Sequence, residues 1–146
     1  MKTNQAGFSL LELLIVLAAI QLIWFISLYS ANNQTDKQEF ELWYQQFELD
    51  LLYLQKLSMS TSNNYSLQFY PEHNKYEIRE GTLASPIKRR ELPSGWKLQT
   101  YTLNPVTYTH AGQLRKPGSL KLETNASTYF IYFPFGKGRC YYNRNK

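Results

Sequence analysis

The feature that most constrains this chain is a long apolar run close to its beginning. From Phe8 to Tyr29 the residues are apolar except for Glu12, Gln21 and two serines. A helix rises about 1.5 Å per residue, so a run of about 22 residues spans roughly 33 Å and suits the hydrocarbon core of a membrane. We therefore predict a transmembrane helix over residues 8–30, preceded by a short polar leader, residues 1–7.

Two simpler interpretations of this run leave something unexplained. A secretory signal peptide has an apolar stretch of about 7–15 residues and a small-residue cleavage site. This run is longer than that, and Leu28-Tyr29-Ser30-Ala31 is a poor site of the A-x-A kind. A plain transmembrane anchor explains the run but not Glu12, because a carboxylate in an apolar helix is costly and normally has a partner.

A second helical pattern follows, and it is apolar on one face only. Apolar residues recur at alternating spacings of four and three, which is typical of an amphipathic helix. The stripe consists of Phe40, Tyr44, Phe47, Leu51 and Leu54, with Trp43 and Leu57 beside it. Residues 31–62 are therefore predicted to form an amphipathic half of the same long helix, which ends near Thr61 and needs a sheet to cover its apolar face.

The remainder, residues 63–146, has the two-residue period of short strands. Residues 65–69 and 76–78 alternate around a turn and predict a hairpin, and the pairs Trp96/Leu98, Val106/Tyr108 and Leu120/Leu122 repeat the period. The run Tyr129–Phe135 is apolar on both faces, which favours a central strand that ends near Pro134. The predicted fold class is α+β, a long N-terminal helix packed against an antiparallel β domain.

Charge is distributed unevenly along the chain, whose formal net charge is +5. Residues 8–61 hold two basic and six acidic residues, whereas residues 62–146 hold 13 basic and five acidic residues, a net +8. A basic distal domain on an acidic stem indicates contact with a polyanion or charge-directed assembly, or simply a soluble surface. The one cysteine, Cys140, has no partner for an internal disulfide and is either a buried thiol or an intermolecular partner.

The residues from Gly7 to Leu17, GFSLLELLIVL, closely resemble the N-terminal signature of type IV pilins and pseudopilins. The resemblance implies that a membrane prepilin peptidase cuts after Gly7 and methylates the new N-terminus at Phe8. It also implies that Glu12, then the fifth residue, pairs with the N-terminal amine of a neighbouring subunit and sets the axial stagger in a filament. The fold implied by this resemblance is pilin-like.

The order of the later motifs resembles minor pseudopilins of the GspH/FimT type, especially the ComGD family of the Gram-positive competence pilus. These motifs are Leu92–Trp96, Tyr108–Gly112, Leu120–Glu123, Tyr129–Phe135 and Gly136–Arg139. The resemblance implies a role in DNA uptake during natural transformation and a single pass through the cell membrane, with the C-terminal domain outside the cytoplasm. It implies as partners the prepilin peptidase, the major pseudopilin and other minor pseudopilins of a cell-surface filament.

Contact with DNA itself is a separate prediction. Some FimT-like relatives bind DNA through a Gly-Arg-x-Arg pattern, and Gly138-Arg139-Cys140-Tyr141 departs from that pattern at Tyr141. Basic side chains bind phosphates, and aromatic rings stack on bases of single strands. The candidate residues are Lys88, Arg89 and Arg90 on a loop, and Lys137, Arg139, Tyr141, Tyr142, Arg144 and Lys146 near the C-terminal end. The alternative is that they only cover the rim of the core and solvate it.

We predict no catalysis, no cofactor and no metal site. His73 and His110 fall in separate predicted turns, without cysteines or paired carboxylates at ligand spacing. Gly136-Lys137-Gly138 lacks the spacing and the following helix of a phosphate loop. Two other functions stay open: a pseudopilin of a type II secretion system, and a membrane-tethered nucleic-acid-binding domain that never polymerises. The second would need neither cleavage at Gly7 nor Glu12.

Overall fold

The computed structural model describes residues 10–81, 84–136 and 138–145, apart from the side chains of residues 26–34. The chain divides into two compact units, Met1–Thr35 and Asp36–Lys146. The described residues form helix α1 (Leu10–Ser60), a 3₁₀ turn (Pro71–His73) and the strands β1 (Tyr65–Tyr70), β2 (Lys75–Glu80), β3 (Pro86–Glu91), β4 (Lys97–Thr100), β5 (Gly118–Glu123), β6 (Thr128–Phe133) and β7 (Tyr141–Asn145).

In the first unit, α1 is already helical at Leu10, the first residue that the structure describes. The side chains of residues 10–25 are all exposed. Within the described part of the chain, no helix has an apolar stretch long enough to cross a membrane. The predicted span, residues 8–30, includes residues 8 and 9 and the side chains of 26–30, which lie outside the described residues.

In the second unit, the predicted apolar stripe of α1 forms one side of the core. All five stripe residues are buried, and Trp43 and Leu57 pack against them half-buried. The ring of Phe40 stacks on the ring of Tyr129 in β6, with centroids 3.5 Å apart and planes inclined by 4°. Burying each such side chain contributes about 1.5–3 kcal/mol, so this face holds the helix against the strands.

The strands form two antiparallel sheets. The first has the order β1-β2-β3, and β1 pairs with β2 from Tyr65↔Glu80 to Tyr70↔Lys75, which confirms the predicted hairpin. The second has the order β4-β5-β6-β7. Strand β6 therefore lies inside its sheet, as its continuous apolar run predicts, and it ends at Phe133, directly before Pro134.

Besides strand β3, which was not predicted, two details of the strand prediction are wrong. Val106 and Tyr108 make only isolated bridges, to Leu67 and Leu114, because Pro105 lacks a backbone donor and the chain turns at Gly112, where φ is +75°. The second error is the omission of β7, whose sequence YYNRN is too polar to indicate a strand by itself. It becomes a strand because the edge of β6 offers it a partner.

Asp36 connects the start of the second unit to the second sheet through hydrogen bonds. Its buried carboxylate accepts hydrogen bonds from Thr124 Oγ1 at 2.9 Å and from the backbone N–H of Ala126 at 3.3 Å. These donors lie in the turn between β5 and β6. Apolar contacts in the core are not directional, so they do not by themselves set the position of the helix on the sheet. The hydrogen bonds of the buried Asp36 carboxylate are directional and set this position.

Candidate functional site

In the first unit, Glu12 is the only charged residue among residues 10–25, and it lies in the first turn of α1 with its side chain exposed. Around it, large apolar side chains from Leu10 (80% exposed) to Phe25 (78% exposed) also face outwards. An exposed apolar surface of this size marks a contact with protein or lipid. Gly7 and Phe8 lie outside the described residues, so their cleavage and methylation stay predictions.

The basic run Lys88, Arg89 and Arg90 was predicted to lie on a loop, and that placement is wrong. The three residues belong to β3, which pairs with β2. A run of charged residues looks like a loop in the sequence because a strand normally alternates apolar and polar side chains. In β3, successive side chains still point to opposite faces of the sheet, but both faces carry cations. On each face, these cations bind a buried carboxylate.

On the face towards α1, that carboxylate is Asp50. Its fully buried side chain accepts hydrogen bonds from Lys88 Nζ at 2.9 Å, Arg90 Nε at 3.1 Å and Tyr76 Oη at 2.9 Å. Burial by itself would raise the pKa of Asp50, but the bonds from Lys88, Arg90 and Tyr76 outweigh it and lower the pKa. Asp50 is therefore ionised at neutral pH, and it connects α1 to the first sheet.

On the opposite face, the carboxylate is Glu77 of β2. It accepts hydrogen bonds from Lys75 Nζ at 2.9 Å, Arg79 Nε at 2.8 Å and Arg89 Nε at 2.7 Å. Burial opposes ionisation here too, yet the three cations lower the pKa of Glu77 to about 2. Three positive charges surround one negative charge, so this part of the sheet remains cationic while its side chains are held in place.

The residues near the C-terminal end do not share one face. Tyr142 points into the core side, where its ring meets Phe40 at 4.9 Å edge to face, and Arg144 donates to Ser127 Oγ at 2.7 Å. Tyr141 points to the other side of the sheet, where its ring lies 5.3 Å from that of Tyr132. Arg139 is exposed before β7. Lys137 and Lys146 lie outside the described residues.

Cys140 is a buried free thiol. Its sulfur lies 3.3 Å from Tyr44 Oη of α1. Burial raises the pKa of the Cys140 thiol to about 11, and burial likewise raises the pKa of the Tyr44 hydroxyl. At neutral pH both groups are therefore protonated, and the thiol packs as a small apolar side chain instead of acting as a nucleophile.

Sequence reasoning missed the roles of Asp50 and Glu77. Asp50 lies three residues after Phe47, on the buried side of an amphipathic helix, where an acid is unexpected. Glu77 lies between Tyr76 and Ile78, both in the core, and an alternating strand places it on the outer face. The sequence shows these positions, but it does not show which cations reach them.

Comparison with known proteins supports the sequence motif and the fold. Residues 2–20 match the family model of the prokaryotic N-terminal methylation motif, the segment that contains Gly7, Phe8 and Glu12. The predicted motif is thereby confirmed. No curated protein sequence matches the chain.

Among solved structures, the chain is similar to the minor pseudopilin EpsH from the type 2 secretion system of Vibrio cholerae. The TM-score is 0.53 at 11% sequence identity, over 71% of this chain and 95% of that chain. An identity this low shows the fold alone. The predicted pilin-like α+β fold is confirmed.

Proposed function

We propose that this chain is a minor pseudopilin, a structural subunit of a type IV pilus-like filament. A prepilin peptidase cuts it after Gly7 and methylates Phe8, and residues 8–30 anchor it in the cell membrane by a single pass. The observation that carries the proposal is the methylation motif over residues 2–20 in front of a pilin-like domain.

Glu12 has a specific role in this proposal. A carboxylate in lipid costs about 2.5–3.5 kcal/mol at the centre of a helix and less near the interface, so it gains from a cationic partner. Cleavage after Gly7 creates such a partner, because it leaves a charged amine at Phe8. Glu12 of one subunit binds the amine of the next, and the surrounding apolar side chains pack between subunits.

Intact mass of the protein extracted from membranes tests the processing step, in a wild-type strain and in one that lacks the prepilin peptidase. We expect residues 1–7 to be missing and one methyl group to be present in the wild type only. A chain that stays uncut in both strains would overturn the proposal. It would favour the membrane-tethered nucleic-acid-binding domain, which needs neither Gly7 nor Glu12.

The filament proposed for this subunit is a competence filament of the ComGD kind, which takes up DNA during transformation together with the major pseudopilin and other minor pseudopilins. Two observations support it: the order of the motifs from Leu92 to Arg139, and the net +8 of residues 62–146. Of the three predicted residues of β3, Arg89 is exposed on the cationic first sheet and is the better candidate for phosphate contacts, since Lys88 and Arg90 bind Asp50. The candidates at the C-terminal end are Lys137, Arg139, Tyr141, Tyr142, Arg144 and Lys146.

A type II secretion pseudopilin is the second candidate, and the similarity to the fold of EpsH favours it. Deletion of the gene separates the two candidates. We expect the deletion strain to lose transformability and to keep normal amounts of secreted proteins, and the wild-type gene to restore the loss. Loss of secretion with unchanged transformability would favour the second candidate.

A further inference from the structure

The outward face of the second sheet carries aromatic side chains that the core does not use. Strand β6 turns Tyr129, Ile131 and Phe133 inwards, so its intervening residues Phe130 and Tyr132 point away from the core. Burial in the core therefore accounts for the apolar side chains of Tyr129, Ile131 and Phe133 in this run, but not for those of Phe130 and Tyr132.

These rings belong to a row that crosses the four strands. Tyr132 lies opposite Ser119 of β5 on one side and opposite Tyr141 of β7 on the other. Tyr101 follows β4 directly and donates its backbone N–H to the carbonyl of Ser119 at 3.4 Å. Strands lie about 4.8 Å apart, so the row from Tyr101 to Tyr141 is about 14 Å long.

The rings of Phe130, Tyr132 and Tyr141 are roughly parallel, and the two tyrosines at the ends of the row are exposed. The centroids of Tyr132 and Tyr141 are 5.3 Å apart with planes inclined by 28°, and those of Phe130 and Tyr132 are 6.4 Å apart with planes inclined by 22°. Tyr101 and Tyr141, at the two ends of the row, are 59% and 56% exposed. In the register, Ser119 of β5, which has a small side chain, lies between Tyr101 and Tyr132.

The side chains around the rings are polar. At the described outward-facing positions of β4 to β7 there is no aliphatic side chain; the positions beside the rings hold Lys97, Gln99, Lys121, Glu123, Asn143 and Asn145. Lys121 lies opposite Phe130 and pairs with Glu123 at 2.5 Å. Two lysines against one glutamate leave the face cationic. It is a set of rings among hydrogen-bonding and cationic groups, unlike an apolar interface.

We propose that this face binds single-stranded nucleic acid by stacking bases on Tyr101, Tyr132 and Tyr141, with Lys97 and Lys121 beside the phosphates. Sheets that carry aromatic rings on an open face bind single strands in this manner, because every base has a π-face and stacking tolerates any sequence. In a duplex the bases are already stacked on each other, so the face selects single strands. The binding needs no filament, but its use in DNA uptake rests on the proposed function.

Two other occupants use some of the same groups. A neutral sugar chain also stacks on aromatic rings, but it has no negative charge to pair with Lys97 and Lys121. A neighbouring subunit would normally bury aliphatic groups along with the aromatic ones. The rings and the cations together favour an occupant that has both flat apolar surfaces and phosphates.

The test uses the full chain in a neutral detergent and a fluorescein-labelled oligodeoxythymidine of about 12 nucleotides, within the usual range of site sizes. Fluorescence anisotropy compares this strand with its duplex and with an abasic strand of the same length, which keeps the phosphates but has no bases. We expect the single strand to bind about tenfold or more tightly than either. Equal binding of the abasic strand would overturn the proposal, because phosphate contacts alone would then account for the affinity.

Variants locate the site. Tyr101→Ser and Tyr141→Thr should each weaken binding at least about fivefold, since each removes the ring under one base. Leu42→Ala on α1 is the control, a 69% exposed apolar side chain that lies off this face, and should bind as the wild type does. Tyr101 lies outside the strands, so its removal leaves their pairing intact.

Two further results would overturn the proposal: equal losses in the variants and in the control, or displacement of the strand by an oligosaccharide of β-1,4-linked N-acetylglucosamine. The mass of the same preparation reports cleavage after Gly7. If the chain is processed but does not bind the strand, this inference is refuted, while the proposed role as a filament subunit is not affected.

Discussion

At the scale of single residues, Asp50 and Glu77 organise the first sheet. Each is a fully buried carboxylate that binds cations from the strands, and each has its pKa lowered by them. Because a buried charge is stable only with its partners in place, each of these carboxylates specifies where its strand lies. Asp50 determines the position of β3 relative to α1, and Glu77 determines that of β3 relative to β2.

Asp50→Asn keeps the size of the side chain and removes its charge. The amide then turns N–H donors towards Lys88 or Arg90, and the buried hydroxyl of Tyr76 loses its charged acceptor. We expect the free energy of unfolding to fall by about 3 kcal/mol, at the lower end for a broken buried pair because both cations also reach water. Urea unfolding followed by tryptophan fluorescence measures it. The exposed Glu39→Gln is the control, expected within about 0.5 kcal/mol of the wild type. Equal stability of the two variants would contradict the role of Asp50.

The pKa of Glu77 predicts how stability depends on pH. The folded pKa, about 2, is below the ordinary 4.5, so the unfolded chain binds the proton more tightly. The stabilisation is therefore complete above about pH 4.5 and is lost as the pH falls towards 2, by at most about 3 kcal/mol. Asp50 acts in the same direction. Thermal unfolding between pH 2 and pH 7 should show a smaller loss on acidification in Glu77→Gln than in the wild type; parallel curves would exclude Glu77 as a cause.

At the scale of elements, the second sheet is positioned by close packing between the backbone of β5 and the side chains of the loop that follows β4. Strand β5 begins at Gly118, and a Cβ at that position would lie 2.7 Å from Leu103 Cβ and 3.0 Å from Thr102 Oγ1. The loop that follows β4 therefore packs directly against the backbone of β5. This contact also holds Tyr101 beside Ser119, at the end of the aromatic row.

Gly118→Ala should thus move the loop or the strand. We expect a loss of about 1–3 kcal/mol in stability from overpacking, together with weaker binding of single-stranded DNA because Tyr101 shifts. Gly136→Asn is the matched control: φ is +72° there, nothing lies within 4 Å of an added Cβ, and asparagine tolerates the left-handed region. Thermal unfolding and the anisotropy assay measure both effects. A Gly118→Ala protein as stable as Gly136→Asn would show that the loop yields without cost.

At the scale of the whole molecule, the two units differ in whether their apolar side chains are exposed or buried. Among the described residues, the apolar side chains of residues 10–25 are exposed, whereas the unit from Asp36 to Lys146 has a core of its own. An exposed apolar surface of this kind marks a contact with lipid or protein, whereas the second unit is stabilised by its own core. Changes in the first unit should therefore affect assembly without unfolding the second.

Glu12→Val tests this separation. The segment loses its carboxylate and becomes more apolar, so membrane insertion and the fold of the second unit should persist, while incorporation into filaments should be lost with the partner of the neighbouring amine. Sheared filaments probed with an antibody measure incorporation, and intact mass confirms processing. Gln21→Val, which removes a polar group from the same segment, should assemble normally. Normal assembly of Glu12→Val would refute the pairing of Glu12.

Much of the fold follows from periodicity. The stripe from Phe40 to Leu54, the hairpin of β1 and β2, and the interior position of β6 were predicted from spacing, because burial on one face imposes a period of 3.6 or 2 on the sequence. The strand character of β3 and β7 could not be predicted this way. Both strands are polar, and they exist because β2 and β6 offer them a partner.

The sequence by itself determined the leader motif, the long helix, the α+β class and the positive charge of the distal half, since each is a local property of neighbouring residues. Only the tertiary structure decided which groups meet. It places Lys88 and Arg90 on Asp50 and Arg89 on Glu77, and it turns Tyr142 inwards and Tyr141 outwards. It also brings Tyr101, which is distant in sequence, into one row with Tyr132 and Tyr141. Such contacts depend on strand order and register, and a linear pattern does not specify which strands become neighbours.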